Sequence, residues 1–177
     1  GLVQVNEVLG LTFTRKAAQE MRGRVSARVG ERQARDVTLS TFHSLAMKIC
    51  RDAPSLVGRE HGFSIWDDVT TGRQLRTIAR ETAEANNRSE AVGAAKASEI
   101  YEKLGLWKAT GADLHGDLFT DAFIVLHPDA LEVVKAYESL KASTNALDFD
   151  DLIYRVVRML SMHDEVRDRY RACWRYL

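Results

Sequence analysis

The sequence predicts an α/β fold that is predominantly helical, and three observations carry that expectation. Only two prolines interrupt 177 residues rich in Ala, Leu, Arg and Glu, a composition that favours helices. Two short apolar runs, Val8 to Phe13 and Val37 to Thr41, read as strands. Each run passes directly into residues with helical spacing, the pattern of strand–turn–helix units on a parallel sheet. At 45% hydrophobic the chain is long enough for one good core and a second small one.

The first unit continues past Leu11-Thr12-Phe13-Thr14 with Ala18, Met21, Val25 and Val29 at intervals of three and four, an amphipathic helix. Thr14 is the predicted N-cap, its hydroxyl oxygen accepting an otherwise unpaired backbone N–H of the first turn. Arg15 and Lys16 then sit at the positive end of the helix dipole, a placement costing about 0.3–1 kcal/mol per charge. A docked anion reverses that sign, because free N–H groups and both cations point at it. Residues 11–35 carry seven Lys or Arg against two Asp or Glu, whereas the whole chain balances at 25 and 25. The basic character is therefore local.

The second unit repeats the logic at Ser40-Thr41-Phe42-His43. Thr41 or Ser44 caps a helix that turns Leu45, Ala46, Ile49 and Cys50 inward and Lys48 and Arg51 outward. His43 reads as a hydrogen-bonding or capping residue, since no nucleophile with a positioned acid stands at a suitable spacing. Phe13 and Phe42 read either as core or as rings left at strand ends, where base stacking is worth about 1–3 kcal/mol per base. Ligands of α/β proteins sit beyond the carboxyl ends of parallel strands. Two such junctions with hydroxyls and a ring point to a surface gripping a phosphate-bearing chain.

Farther along, Leu75, Ile78, Ala79, Thr82 and Ala83 form a helical stripe with Thr70-Thr71 as its cap, and Glu84 to Ser89 reads as a loop. Ala94 to Leu104 is helical, with Gly105 as its stop, and Trp107 to Gly116 reads as connector. Pro128 opens a helix over Asp129 to Lys141 that turns Leu131, Val134 and Leu140 inward. In Asp148-Phe149-Asp150-Asp151, Asp148 reads as an N-cap with two acids in the first turn, where the dipole favours them. The competing metal reading needs further carboxylates that no spacing nominates. Leu152, Ile153, Val156, Val157 and Leu160 are the predicted buried face of the helix that follows. His163-Asp164 begins a last helix to about Cys173, and Trp174 to Leu177 resumes the sheet.

Cys50 and Cys173 show neither CxxC nor metal spacing and read as reduced thiols of a cytoplasmic protein. No signal peptide and no apolar stretch near eighteen residues is present, so no membrane partner is expected. No catalytic residue and no metal ligand is nominated.

Leu11-Thr12-Phe13-Thr14-Arg15-Lys16-Ala17-Ala18-Gln19-Glu20-Met21 resembles the first DNA-contacting motif of UvrD/Rep/PcrA-type superfamily 1 helicases. Thr41-Phe42-His43-Ser44 resembles the next motif, Phe63-Ser64-Ile65-Trp66-Asp67-Asp68 the segment leading into the helical insertion, and Ala146 to Ile153 the acidic return to the motor. Arg15 stands where the commonest form has Asn, adding charge near the DNA path. The resemblance implies a partial RecA-like parallel sheet with an inserted helical subdomain: residues 1–72 part of the first motor domain, 73–144 the insertion, 145–177 the return. It implies a 3′-to-5′ DNA translocase whose single-strand track includes Thr12, Phe13, Thr14, Thr41 and His43, with Arg15, Lys16 and Phe42 beside them. Implied partners are single-stranded DNA, a single-strand/duplex junction and the remaining motor domains.

The resemblance also implies ATP and Mg2+ in the parent helicase. None of the eleven glycines is followed by Lys, so the phosphate loop G-x-x-x-x-G-K-[ST] is not in this stretch. In the family it precedes these motifs, and the magnesium-binding Asp-Glu pair belongs to a strand that Tyr176-Leu177 would open. The 177 residues alone are therefore expected to hold no cofactor and to unwind nothing, with open strand edges that invite association. Two alternatives remain: a stand-alone single-strand-binding module without ATPase activity, or part of a helicase–nuclease subunit.

Overall fold

The computed structural model describes residues 3–87, 90–114, 118 and 121–177. The chain divides into two compact units, Gly1–Ala53 with Val156–Leu177, and Pro54–Arg155. The predicted class holds: short parallel sheets in a mostly helical chain.

In the first unit, β1 (Leu9–Thr12) leads into α1 (Arg15–Val29) and α2 (Glu31–Asp36), and β2 (Thr38–Thr41) leads into α3 (Phe42–Asp52). The strands pair in parallel with Leu9 opposite Thr38 and Thr12 opposite Thr41. Both therefore end at the same level. Val8 bridges Tyr176 in parallel, and the Leu9 N–H donates to the Tyr176 carbonyl at 2.9 Å, so the chain resumes the sheet where expected. Before it does, α9 (Asp164–Cys173) completes the unit.

Leu39, Ala46, Ile49 and Cys50 are buried here. Gly10 is required by closeness of packing, because a Cβ at that position would lie 2.6 Å from Leu39 Cδ2 and 2.9 Å from Met21 Sδ. That contact sets α1 against the strands. The helix nevertheless has no fully buried residue, and Val29, predicted on its apolar face, is exposed. A single flank of small side chains and Met21 is enough to seat it.

The second unit pairs β3 (Ser64–Trp66) with β4 (Ala146–Asp148) in parallel. Around them lie α4 (Asp68–Ala85), α5 (Glu90–Thr110), α6 (Ala122–Leu126), α7 (Pro128–Ser143) and the start of α8 (Phe149–Met162). The core gathers Leu75, Ile100, Leu104, Trp107, Val134 and Tyr137.

Several boundaries differ from expectation. Asp67, not Thr70-Thr71, caps α4, its carboxylate accepting from the Thr70 N–H at 2.8 Å. An acid at this position satisfies the helix dipole as well as the N–H. The segment read as a loop from Glu84 begins inside α4, which turns at Asn87 with φ 56°; Ser89 lies outside the described residues. Gly105 does not stop α5: the helix runs on through Trp107 and Lys108 to Thr110, and Gly111 at φ 76° ends it. Gly116 lies outside the described residues. On α8, Leu152, Val156 and Met159 are buried, whereas Ile153 and Val157 are 36% and 53% exposed. The buried face is narrower than the apolar run, following the three-and-four spacing that leads to Met159.

Candidate nucleic-acid interface

The predicted site residues all belong to the first unit. Parallel pairing of Thr12 with Thr41 brings the two strand ends together at neighbouring positions of one sheet. Past each end the chain turns through a ring residue into a helix. The Thr12 hydroxyl donates to the Thr14 carbonyl at 2.9 Å and closes the first turn. Thr14 then caps α1, its Oγ1 accepting from the Ala17 N–H at 3.1 Å. Thr41, rather than Ser44, caps α3: its Oγ1 accepts from the Ser44 N–H at 3.2 Å and donates to Ser44 Oγ at 2.9 Å.

Phe13 and Phe42 meet above these corners with ring centroids 5.2 Å apart and planes inclined at 38°. Of the two alternatives for these rings, core or surface, the structure selects the surface. Phe13 is 90% exposed and Phe42 41%, although burying a phenylalanine gains about 1.5–3 kcal/mol. Arg15 and Lys16 are exposed in the first turn of α1, and His43 is half-buried in the first turn of α3. Register and ring contact thus unite Thr12, Phe13 and Thr14 with Thr41 and Phe42.

Beside this platform, between α1 and the β2–α3 corner, runs a groove of about 310 Å³. Arg15, Gln19, Arg22, Ser40, Thr41 and Ser44 line it, and Arg22 Nη2 donates to the Leu39 carbonyl at 3.0 Å. Gln19, Arg22, Ser40 and Ser44 were not among the predicted residues. The spacing of Arg15, Gln19 and Arg22, four and seven apart on one helix, carried the signal.

In the second unit the Asp148 cap is confirmed. Asp148 Oδ1 accepts from the Asp151 N–H at 2.8 Å, and Asp151 Oδ2 accepts from the Asp148 N–H at 3.2 Å. Glu138, Asp148 and Asp151 converge as a metal site would, but lysine ammonium groups lie among them. Lys141 Nζ stands 2.5 Å from Asp151, 2.7 Å from Asp148 and 2.8 Å from Glu138. Lys108 Nζ lies 2.6 Å from Asp148 and 3.0 Å from Asp151, and Arg155 pairs with Glu138 at 3.1 Å.

Burial alone would raise both aspartates, but Lys108 foremost and then Lys141 hold them below the ordinary carboxylate range. Burial likewise opposes charge on Lys108, and Asp151, Asp148 and Glu138 outweigh it and raise its pKa. The sequence reading missed both lysines. Lys141 follows Val134 and Tyr137 on the buried stripe of α7, and that spacing was the available signal.

The residues described do not fit ATP or Mg2+. The turns after β1 and β2 present Phe-Thr and Phe-His, not a glycine-rich cradle, and the converging carboxylates are neutralised by lysines. No helix among the described residues is long and apolar enough to cross a membrane.

The chain is similar to known proteins over nearly its whole length. The chain is 33% identical over 99% of its length to the ATP-dependent DNA helicase UvrD1 of Mycobacterium leprae, covering 22% of that protein. It is 30% identical over 98% of its length to the ATP-dependent DNA helicase Rep of Salmonella typhimurium, covering 25%. It is also 30% identical over 96% of its length to the ATP-dependent DNA helicase PcrA of Leuconostoc citreum, covering 22%. The chain thus spans about a quarter of the length of these relatives. The family described as UvrD/REP helicase N-terminal domain matches residues 1–177, and the chain belongs to that family.

Proposed function

We propose that this chain supplies the strand-gripping surface of an ATP-dependent DNA helicase that translocates 3′ to 5′ on single-stranded DNA. One observation carries the reading: two solvent-facing phenylalanines in contact at 5.2 Å, set over hydroxyl-capped helix starts at the carboxyl ends of paired strands. Bases stack on the rings, and Arg15, Lys16 and His43 lie beside the backbone's path. Residues 1–72 and 145–177 belong to the motor domain and 73–144 to a helical insertion that approaches the single-strand/duplex junction. ATP and Mg2+ act in the parent protein through residues outside these 177, together with its remaining motor domains, and the protein works in the cytoplasm. The names of the relatives support this reading.

The test is fluorescence anisotropy of a labelled oligothymidylate with Phe13→Ala/Phe42→Ala. Stacking worth about 1–3 kcal/mol per base predicts a loss of about 5- to 150-fold for each base released. Because the rings are exposed, circular dichroism should not change. A folded double variant that binds as the parent chain does would sink the reading.

A further inference from the structure

The ion cluster of the second unit holds one cation more than its carboxylates match. Glu138, Asp148 and Asp151 are engaged in direct ion pairs by Lys108, Lys141 and Arg155. A fourth cation, Arg59, is buried at 8% exposure and has no ion pair among the described residues. Glu60 and Asp150, the acids next in sequence to Arg59 and Asp151, are exposed.

Arg59 is held by its backbone partners. Its Nε donates to the Ala146 carbonyl at 2.7 Å and its Nη1 to the Gly58 carbonyl at 2.6 Å. The third nitrogen, Nη2, is buried with no hydrogen-bond partner among the described residues. Arg155 reaches the same turn, where its Nη1 donates to the Val57 carbonyl at 3.1 Å. Two guanidinium groups thus hang on consecutive carbonyls. Burial first and Arg155 second lower the Arg59 pKa, against the opposite pull of Asp151, Glu138 and Asp148. Gly58 is exposed and the Arg155 side chain is 21% exposed, so solvent ions reach this turn. A buried charge is costly unless it is both paired and hydrogen-bonded, and the fork of Arg59 still has a donor to give.

We propose that Arg59 and Arg155, fixed on the Val57–Gly58 turn, bind a single halide ion, chloride in ordinary buffers, which accepts from Arg59 Nη2. One negative charge balances the four cations against the three carboxylates. A dianion such as sulfate overshoots that balance and loses more hydration on burial. Because Arg59 also ties this turn to β4 through Ala146, the bound ion stabilises the fold of the second unit.

The test is urea unfolding of the 177-residue chain at fixed sodium concentration, with fluoride replaced stepwise by chloride and tryptophan fluorescence as the readout. Strongly excluded anions strengthen effective burial in general, so without a site fluoride is the more stabilising salt. With the site the order reverses. Chloride at about ten times its dissociation constant should multiply the folded-to-unfolded ratio about 11-fold. Arg59→Gln places an amide nitrogen where Nε stood, so the bond to Ala146 is kept while the charge and Nη2 are lost. That variant should be at least as stable as the parent in fluoride and show no gain from chloride, whereas a merely structural arginine would lose stability in both salts. Broadening of the chloride NMR line by the parent chain, relieved by bromide and not by acetate, decides the matter if Arg59→Gln fails to fold.

An equal chloride response in folded Arg59→Gln would overturn the site, as would a parent chain that leaves the chloride line as narrow as an inert control protein does. Stabilisation by acetate and not by chloride would assign the two guanidinium groups to a carboxylate and overturn the halide.

Discussion

Lys141→Met should be among the most destabilising single changes available to this chain. The ammonium group is fully buried and lies within 2.8 Å of carboxylate oxygens on Asp151, Asp148 and Glu138. Those three acids are balanced in direct ion pairs by Lys108, Lys141 and Arg155. Methionine matches the lysine stem in volume, so packing is largely kept and the change isolates the charge. Removing one partner of a buried pair costs about 3–5 kcal/mol, because the uncompensated charge stays behind. Against a domain stability of about 5–15 kcal/mol, that is a large share.

Urea unfolding followed by tryptophan fluorescence measures it, since Trp66 and Trp107 pack in or against the same unit's core. Exposed Lys48→Met is the control and should shift stability by no more than about 0.5 kcal/mol. Adding Asp148→Asn, which keeps the cap acceptor, should cost less than the sum of the two single changes, since it removes the stranded charge. A Lys141→Met midpoint equal to the parent's would refute the claim that the cluster is a load the fold must balance.

Three further outcomes follow from the geometry. Gly10→Ala puts a methyl against Leu39 Cδ2 and Met21 Sδ and should destabilise the first unit by about 1–3 kcal/mol, the usual cost of overpacking, read by Trp174 fluorescence in urea. Thr14→Ala removes the acceptor for the Ala17 N–H and should cost about 1 kcal/mol, with Thr14→Ser restoring it, measured by the same unfolding curves. Asp148 and Asp151 are depressed in the fold, so their contribution is fully present above their unfolded value near pH 4. It is lost as pH falls through their folded values. Acid titration by circular dichroism should therefore show a plateau through neutrality and unfolding only in strong acid, and an acid midpoint unaffected by Asp151→Asn would contradict the assignment.

Residues that act within a few positions of one another were readable from the sequence. Thr14 as a cap, the two strands and the Asp148 cap depend on local hydrogen bonds and alternation, which sequence records directly. Gly105 was misread because a glycine near a helix end usually stops it. Here its missing side chain accommodates Asp150, whose Oδ2 would lie 3.3 Å from an added Cβ, a contact between residues 45 positions apart. Lys108 was invisible for the same reason, since a lysine reads as solvated until its distant carboxylates are known, and Lys141 had only its place on the stripe of α7 to mark it. At the interface, the spacing of threonines and rings located both corners, but only the register of Thr12 with Thr41 makes them neighbours. The groove needed that register as well, because one wall comes from α1 and the other from β2 and α3.

The closure of the first sheet bears on the order of assembly. Val8 bridges Tyr176, and Arg175 Nη1 reaches Glu7 Oε1 at 3.4 Å across 168 positions of chain. Closing a flexible loop of that length costs about 4–5 kcal/mol in entropy, and no local contact recovers it early. The intervening stretch is continuous in sequence and gathers its own ends, since Arg155 donates to the Val57 carbonyl at 3.1 Å. Once residues 54–155 have collapsed, the loop left to close is shorter by that stretch. Folding of the middle of the chain should therefore precede the Val8–Tyr176 bridge.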